Sequence, residues 1–422
     1  MKKNIVLFLI LSISLGIVAV VEAQKPNADQ LRASGEQLRV SGEQLRVSGM
    51  RTMRTFASVR SNLPELVRVA IVRDSRELDL AIHGSYRIRD MSSGEIIGKG
   101  ASLGESKVRL LDRGILVGLH VYPSRHLTIE PSRDASILID ERPFRGDVTF
   151  IRTSDNRITV VNNINVEDYI KGVLYHEVSH HWPMEALKAQ AVAARTYALY
   201  SISPAGKPYD VTNDIYSQVY GGRDSERYRT DLAVDYTKGQ VLTYNNQIIP
   251  AYFHANCGGM TEDAQELWKL PDIPPLRGVP CSFCKNAPHS HWKKNFRLKD
   301  IQDALNLHGY KVGSIKDISI IDRDRSERIE NLKITQKNGQ ELIIKGKDFR
   351  DLMGPNVLMS NNYEIVMHAY YVDFIGKGWG HGVGMCQWGA LGMAKQQFNY
   401  QQILAYYYPQ SVLMDYHEIH PK

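Results

Sequence analysis

From Leu63 to about residue 155, apolar and polar side chains alternate in short runs. "LVRVAIV", "SYRIRDM", "VRLLD" and "HLTIEP" are separated by Gly, Ser and Asp. This pattern predicts half-buried strands and a small β-rich domain over 61–155. "GDVTFIRTSDNRITVVNNINVEDYIKGVL" then passes from strands joined by an Asp-Asn turn into a helix. There the period changes. At about 100° per residue, Val166, Ile170, Val173 and Leu174 fall in a stripe roughly 100° wide. Further strands follow ("QVLTY", "IIPAYFHA"), then a cysteine-bearing loop and a stretch of both kinds around "LKDIQDALNLHGYKVGSIKDISII". A glycine-rich segment and a helix, "NYQQILAYYYP", close the pattern. Together they predict an α+β fold with mainly antiparallel strands: a β-rich N-terminal domain, then a second α+β domain over 156–411 that carries the candidate chemistry.

The first sixty residues follow other rules. Two lysines, an apolar run from Ile5 to Val21, and small residues at Val21 and Ala23 have the layout of an export signal over 1–23, cleaved after Ala23. The apolar run is nearly long enough to span a bilayer, so an uncleaved membrane anchor is the alternative. Gln30–Met50 repeats "QLRASGE", "QLRVSGE", "QLRVSGM". The seven-residue period is not a coiled coil. Its apolar residues stand two apart, and each copy holds a glycine that costs about 1 kcal/mol in a helix. A flexible spacer over 24–60 is expected.

Composition changes the picture little. The 422 residues are 43% hydrophobic and 23% charged, with a formal net charge of +6. That is core enough for two or three domains. The mild basic excess is spread along the chain and suits an anionic surface such as cell wall or lipid headgroups. No basic run with interleaved aromatics argues for nucleic acid.

Candidate chemistry begins at "YHEVSHHWPMEALKAQAVAARTYAL", which spells H-E-x-x-H. A zinc helix must carry both histidines on one face and find a third ligand. Pro183 works against this. It pushes Trp182 out of helical geometry and leaves His180 in a fraying last turn. Glu177, by contrast, lands near the middle of the apolar stripe. A carboxyl group facing the interior has a raised pKa and can serve as a general acid; a salt bridge to Arg195 or Lys188 is the bland alternative. In the next helix Lys188 and Arg195 share a face, expected to lie beside Glu177. Gln190 and Tyr197 are expected to contact substrate from the same helix.

In "GKGWGHGVGMCQWGA" five glycines alternate from Gly376 to Gly384. Drawn out as a strand, the stretch has one bare face and one bearing Lys377, Trp379, His381, Val383 and Met385. Trp379 is expected to offer a substrate its flat apolar face. His381 and Gln387 are expected to hydrogen-bond substrate, and His381 to be a second proton-transfer group. Tight packing with no substrate contact is the alternative.

These segments resemble a known family. "VEDYIKGVLYHEVSHHWPMEALKAQAVAARTYAL", "DIYSQVYGG", "AYFHANCGG", "KGKDFRDLMG" and "GKGWGHGVGMCQWGALGMA" are similar, in order, to motifs of the stage II sporulation protein D family, which includes amidase enhancers. The resemblance covers roughly residues 160–409. It implies a lytic transglycosylase acting on peptidoglycan glycan strands, preferably peptide-stripped, often beside a cell-wall amidase. The family's essential glutamate aligns with Glu177 and a required arginine with Arg195. The other reading is a wall-binding enhancer of an amidase that cuts no glycan.

Four cysteines complete the inventory. Cys281 and Cys284 form a C-x-x-C, with Cys257 upstream and His289 just after. Three thiolates and one histidine make a closed structural zinc site, as some members of the family carry near this region. A disulfide from Cys257 to Cys281 or Cys284 is the alternative. Cys386 is expected to be a small buried residue.

Overall fold

The computed structural model describes residues 65–202, 207–214 and 217–419. The export signal and repeat spacer expected over 1–60 lie outside the described residues. Among the described residues, no helix is long and apolar enough to cross a membrane.

The alternating runs form two sheets. The first has seven strands in the order Val211–Thr212, Leu66–Ser75, Ile158–Asn165, Asp147–Arg152, His126–Pro131, Tyr86–Asp90, Ile96–Gly100. The second has six: Arg142–Phe144, Ser136–Ile139, Glu77–His83, Leu103–Leu111, Gly114–Val117, His120–Tyr122. Neighbours are antiparallel except Val211–Thr212, which runs parallel to Leu66–Ser75. Along Glu77–His83 the pattern is legible directly: Leu78, Leu80 and Ile82 are buried, while the residues between them keep some exposure. Inward residues of both sheets, among them Val69, Leu80, Ile129, Ile139 and Phe150, join one apolar core.

That core does not stop at residue 155, where a domain boundary was expected. It continues into Val166, Tyr169, Ile170, Val173 and Leu174 of helix α1 (Val166–Glu177) and Leu187, Ala191, Ala194 and Ala198 of helix α2 (Met184–Tyr200). Helix α1 begins directly after strand Ile158–Asn165, where the Asn165 side chain accepts the Glu167 N–H. Such a cap contributes about 1 kcal/mol.

Six alanines in α2 leave little bulk, and all six are buried. The helix is thereby enclosed by α1, by α3 (Tyr228–Tyr236), and by two helices near the end of the chain. Its other face, with Ala189, Val192 and Ala193, enters a second core holding Leu242, Ala251, Met385, Ile403 and Tyr407. Helix α4 (Ala264–Trp268) borders this second core. A third core lies within 292–376. There the sheets Trp292–Arg297/Tyr371–Gly376/Tyr363–Met367 and Ile315–Arg323/Ile329–Gln336/Glu341–Lys345 pack with α5 (Leu298–Leu307) and α6 (Gly346–Met353) around Leu332, Phe349 and Phe374. Helices α7 (Gln387–Lys395) and α8 (Tyr400–Tyr407) follow. The fold is α+β, as expected.

Candidate functional site

Helix α1 ends at Glu177. Val178 is already extended (φ −143°, ψ 152°), five residues before Pro183. His180 therefore stands outside the helix, and the H-E-x-x-H residues share no helical face. His176 Nε2 lies 2.6 Å from Ser225 Oγ, whereas the His180 ring packs beside Tyr175 and His181. Among the described residues, neither histidine belongs to a cluster able to hold a metal. The segment after the break is held by Arg229, which donates to the carbonyl oxygens of His180 and Trp182.

The Glu177 carboxyl faces inward, and its environment favours the neutral acid. Burial pushes its pKa up from 4.5 to about 7, against smaller opposing effects from Gln387 and a backbone hydrogen bond with Val219. Gln387 Nε2 donates to Glu177 Oε2 at 3.4 Å. The side chain as a whole keeps some exposure, so the acid is sheltered and still reachable. Its position adds a further bias. The last residue of a helix sits at the negative end of the macrodipole, which disfavours an anion. Tyr169 and Tyr197 also lie within electrostatic range of the carboxyl.

The same helix carries an acid of opposite character at its other end. Glu167 is held by Arg195 through Nε (2.9 Å) and Nη2 (2.6 Å), and it accepts the Gly239 N–H. Arg195 is 0% exposed and also donates to the carbonyls of Val234 and Gln240. Ten residues of helix separate Glu167 from Glu177, about 15 Å. The catalytic role assigned to Arg195 therefore has no geometric basis at Glu177; its partners make it the tie between α1, α2 and α3. Lys188 does not face Glu177 either. It pairs with Glu185 at 2.8 Å and lies over the rings of Tyr236 and Tyr400. The two cations share a helix face, but that face is turned to α3 and α8 and forms no cationic wall beside the acid.

Two groups of aromatic rings are linked to the glutamate, one through Gln387 and one through Tyr197. Trp182, in the segment after the helix break, meets Trp388, the neighbour of Gln387, edge to face at 5.3 Å. Neither was expected at the site: Trp182 stood out only as the helix break, and Trp388 follows Gln387 in the sequence. In the second group, Tyr197 meets Tyr252 (5.8 Å), Tyr252 meets Trp268 (4.7 Å), and Trp268 meets His381 (5.1 Å). All four rings are half-buried. Gln190 shares the α2 face of Tyr197, two turns earlier; it is 1% exposed, and neither amide atom has a hydrogen-bond partner among the described residues.

The alternating glycines do not form a strand. Gly378, Gly380, Gly382 and Gly384 all have positive φ, so the chain turns repeatedly. A Cβ at Gly384 would stand 2.0 Å from the Tyr252 carbonyl oxygen, and one at Gly382 would meet the Arg328 guanidinium at 2.5 Å. The bare side thus packs on 252–258 and on Arg328, and no open face runs along it. Val383 and Met385 are buried and Lys377 is exposed; Trp379 packs against His289 (5.0 Å), outside the Tyr197–His381 chain of ring contacts. His381 ends that chain of rings. Its Nδ1 accepts the Val383 N–H, and the ring also hydrogen-bonds the Phe253 backbone. Burial pushes its pKa down to about 3.

The parallel pairing of Phe253–His254 with Met385–Cys386 brings Cys386 beside Cys257. Sulfurs of Cys257, Cys281, Cys284 and Cys386 all lie within 4.8 Å of one another, and all four residues are buried. The Cys257 and Cys284 sulfurs are 3.4 Å apart, and those of Cys281 and Cys284 3.8 Å. A tetrahedral zinc with Zn–S bonds of about 2.3 Å spaces its sulfurs at about 3.8 Å, so the donor set fits. The fourth position belongs to Cys386. His289, expected there, is exposed, with φ 61° and its ring on Trp379.

Residues 154–244 match the family described as stage II sporulation protein, and residues 284–384 match a domain of unknown function. Stage II sporulation protein D of Bacillus subtilis is 34% identical over 267 residues, covering 59% of this chain and 74% of the relative. The chain belongs to the stage II sporulation protein D family. An uncharacterised protein of Brachyspira hyodysenteriae is 39% identical over 65% of this chain and 73% of its own length. The amidase enhancer of Bacillus subtilis is 31% identical over 58% of this chain but only 40% of itself. The family match contains Glu177 and the Glu167–Arg195 pair. Gln387, Trp388 and all four cysteines lie beyond it.

Proposed function

We propose that the protein cleaves the glycan strands of peptidoglycan as a lytic transglycosylase, with Glu177 as its single acid and base. The observation that carries this reading is a sheltered carboxyl, raised to about 7 by burial, with no second carboxylate among the described residues contributing to the shift. Hydrolytic glycosidases need two carboxyl groups, about 5–9.5 Å apart. A lytic reaction needs one. Neutral Glu177 gives its proton to the glycosidic oxygen as the C1–O bond breaks; the C6 hydroxyl of the same sugar attacks C1 and returns its proton to Glu177. The strand leaves with an anhydro-muramyl end and the acid is restored. A pKa near the working pH suits both half-reactions.

Gln387 orients the carboxyl. The rings of Trp182, Trp388, Tyr197, Tyr252, Trp268 and His381 offer flat apolar surface to successive sugars, whereas Gln190, 1% exposed, is out of a substrate's reach. A cavity of about 270 Å³ elsewhere in the molecule has none of these residues in its lining. An open aromatic strip suits a polymer better than an enclosed pocket does.

The test is product analysis on denuded glycan strands, comparing the wild type with Glu177→Gln. Anhydro-muramyl products are expected from the wild type and none from the variant. Intact strands with the wild type would sink the proposal. A relative named amidase enhancer supports the second reading, a wall-binding protein that stimulates an amidase; stimulation of a cell-wall amidase that persists in Glu177→Gln would favour it. Both readings place the protein at the cell envelope, exported and released or anchored through its N-terminal segment. Zinc at the four cysteines would be structural: it fixes the start of α7, where Gln387 follows Cys386, and takes no part in the reaction.

A further inference from the structure

We infer that Gln218 is a positioning residue for Glu177: it fixes the Val219 backbone against the carboxyl, and so helps that group to give up a proton as well as to take one back. The inference rests on the acid role proposed above, and adds to it the part of the chain that holds the acid in register.

Residues 217–225 run alongside helix α1, and three ties join the two. Gln218 Oε1 accepts the Tyr169 O–H at 3.2 Å, the Gly221 N–H donates to the Gly172 carbonyl at 3.2 Å, and Ser225 Oγ lies 2.6 Å from His176 Nε2. Tyr169, Gly172 and His176 follow one another at helical spacing, so they share a face of α1. The approach is close. A Cβ at Gly172 would stand 2.4 Å from the Tyr220 ring, and one at Gly221 would stand 2.5 Å from His176 Nε2. A side chain at either place would push the two segments apart.

Gln218 also reaches the next helix. Its Nε2 donates to the Ala194 carbonyl at 3.4 Å, so one buried amide spans α1 and α2 with both ends engaged. On the far side of Val219, Tyr220 is buried too, and it donates to Asn162 Oδ1 at 2.9 Å in strand Ile158–Asn165. Val219 is thus stretched between two anchors. It keeps some exposure itself, and its backbone hydrogen-bonds the Glu177 carboxyl.

A backbone N–H donates and cannot accept, so it favours the carboxylate over the acid. Burial acts the other way and is the larger effect. The remaining neighbours add no charge. Tyr169 on α1 and Tyr197 on α2 have phenols that burial pushes up and keeps neutral, and Gln387 on α7 is an amide. Gln387 and the Val219 backbone are therefore the groups that draw Glu177 back toward ionisation, as a proton that must move both ways in one turnover requires. Gln218 is 1% exposed and touches no substrate; it acts through Val219.

The test uses the full chain with carbon-13 in its glutamate carboxyls, and follows by NMR the signal that Glu177→Gln lacks. In the wild type that signal is expected to titrate at about 7. Gln218→Met keeps the length of the side chain and removes both hydrogen bonds; the midpoint should rise by about 0.5–1 in pH, the effect of one lost donor on a carboxylate. Tyr169→Phe removes the O–H alone and should raise it less, which keeps the test open where Gln218→Met does not fold. On denuded glycan strands Gln218→Met should lower kcat with KM unchanged, and its pH profile should move with the carbon signal. A midpoint that stays at the wild-type value in both variants, whatever they lose in stability, would overturn the inference and leave a purely structural tie. That result in an active enzyme leaves the acid role of Glu177 standing. An upward move in a chain that cuts no glycan would support the positioning of the carboxyl and remove the proposed reaction.

Discussion

The neutral state of Glu177 can be measured without substrate. Raising a carboxyl pKa from 4.5 to about 7 corresponds to about 3 kcal/mol of preference for the protonated form in the folded protein. Below about pH 4.5 the group is protonated in both folded and unfolded chains. As pH rises toward 7 the unfolded chain gives up its proton first, so the folded state binds more protons and stability falls. Above about pH 7 both states are ionised and the loss is complete. Glu177→Gln keeps the shape and never ionises. In urea unfolding, the stability of the wild type minus that of the variant should therefore fall by about 3 kcal/mol between about pH 4.5 and about pH 8. The variant becomes the more stable protein at alkaline pH, a trade common where a site is built for chemistry. Parallel pH curves for the two proteins would mean an ordinary solvated carboxylate, and the acid role would fall with it.

Cleavage by the wild type should decline as pH rises through about 7, where Glu177 loses its proton, and His381→Gln should leave that midpoint in place while weakening strand binding. A moved midpoint would show that His381 titrates in the reaction. Arg195→Ala should lower stability by about 3–5 kcal/mol, because Glu167 is left buried and unpaired. Pairing Arg195→Met with Glu167→Leu should recover much of that loss, as measured by denaturant unfolding; a stable Arg195→Ala protein without activity would return the arginine to the chemistry. Metal analysis should find one zinc per chain, retained in His289→Ala and lost in Cys386→Ser. The reverse pattern would restore the histidine as ligand.

What the sequence revealed, it revealed through local periodicity. The inward turn of Glu177 follows from counting residues along α1, and the strand runs follow from alternation within each run. Long-range pairing was hidden. Nothing between residues 177 and 195 says that Arg195 will meet Glu167 at the far end of α1, since a helical wheel gives the face of a residue and not its partner on another element. Cys386 lost its place to His289 for the same kind of reason: C-x-x-C directs attention to its sequence neighbours, while the pairing that delivers the fourth thiol joins segments 129 residues apart. The glycine run misled because alternation implies a strand only when backbone angles permit one. Four positive φ values turn the same spacing into a loop moulded around 252–258.

Helix α2 is a party wall. One side of it completes the core beneath the two N-terminal sheets and the other completes the core behind the glycine loop, with alanines on both sides that leave no slack. The β layers consequently cannot be trimmed away as an accessory: cutting the chain at residue 155 would strip strand Ile158–Asn165 of its partner on either side and lay bare the underside of the helix that ends in the acid. Whatever those sheets recognise on their own account, their first service is as the foundation on which a single carboxyl is held still.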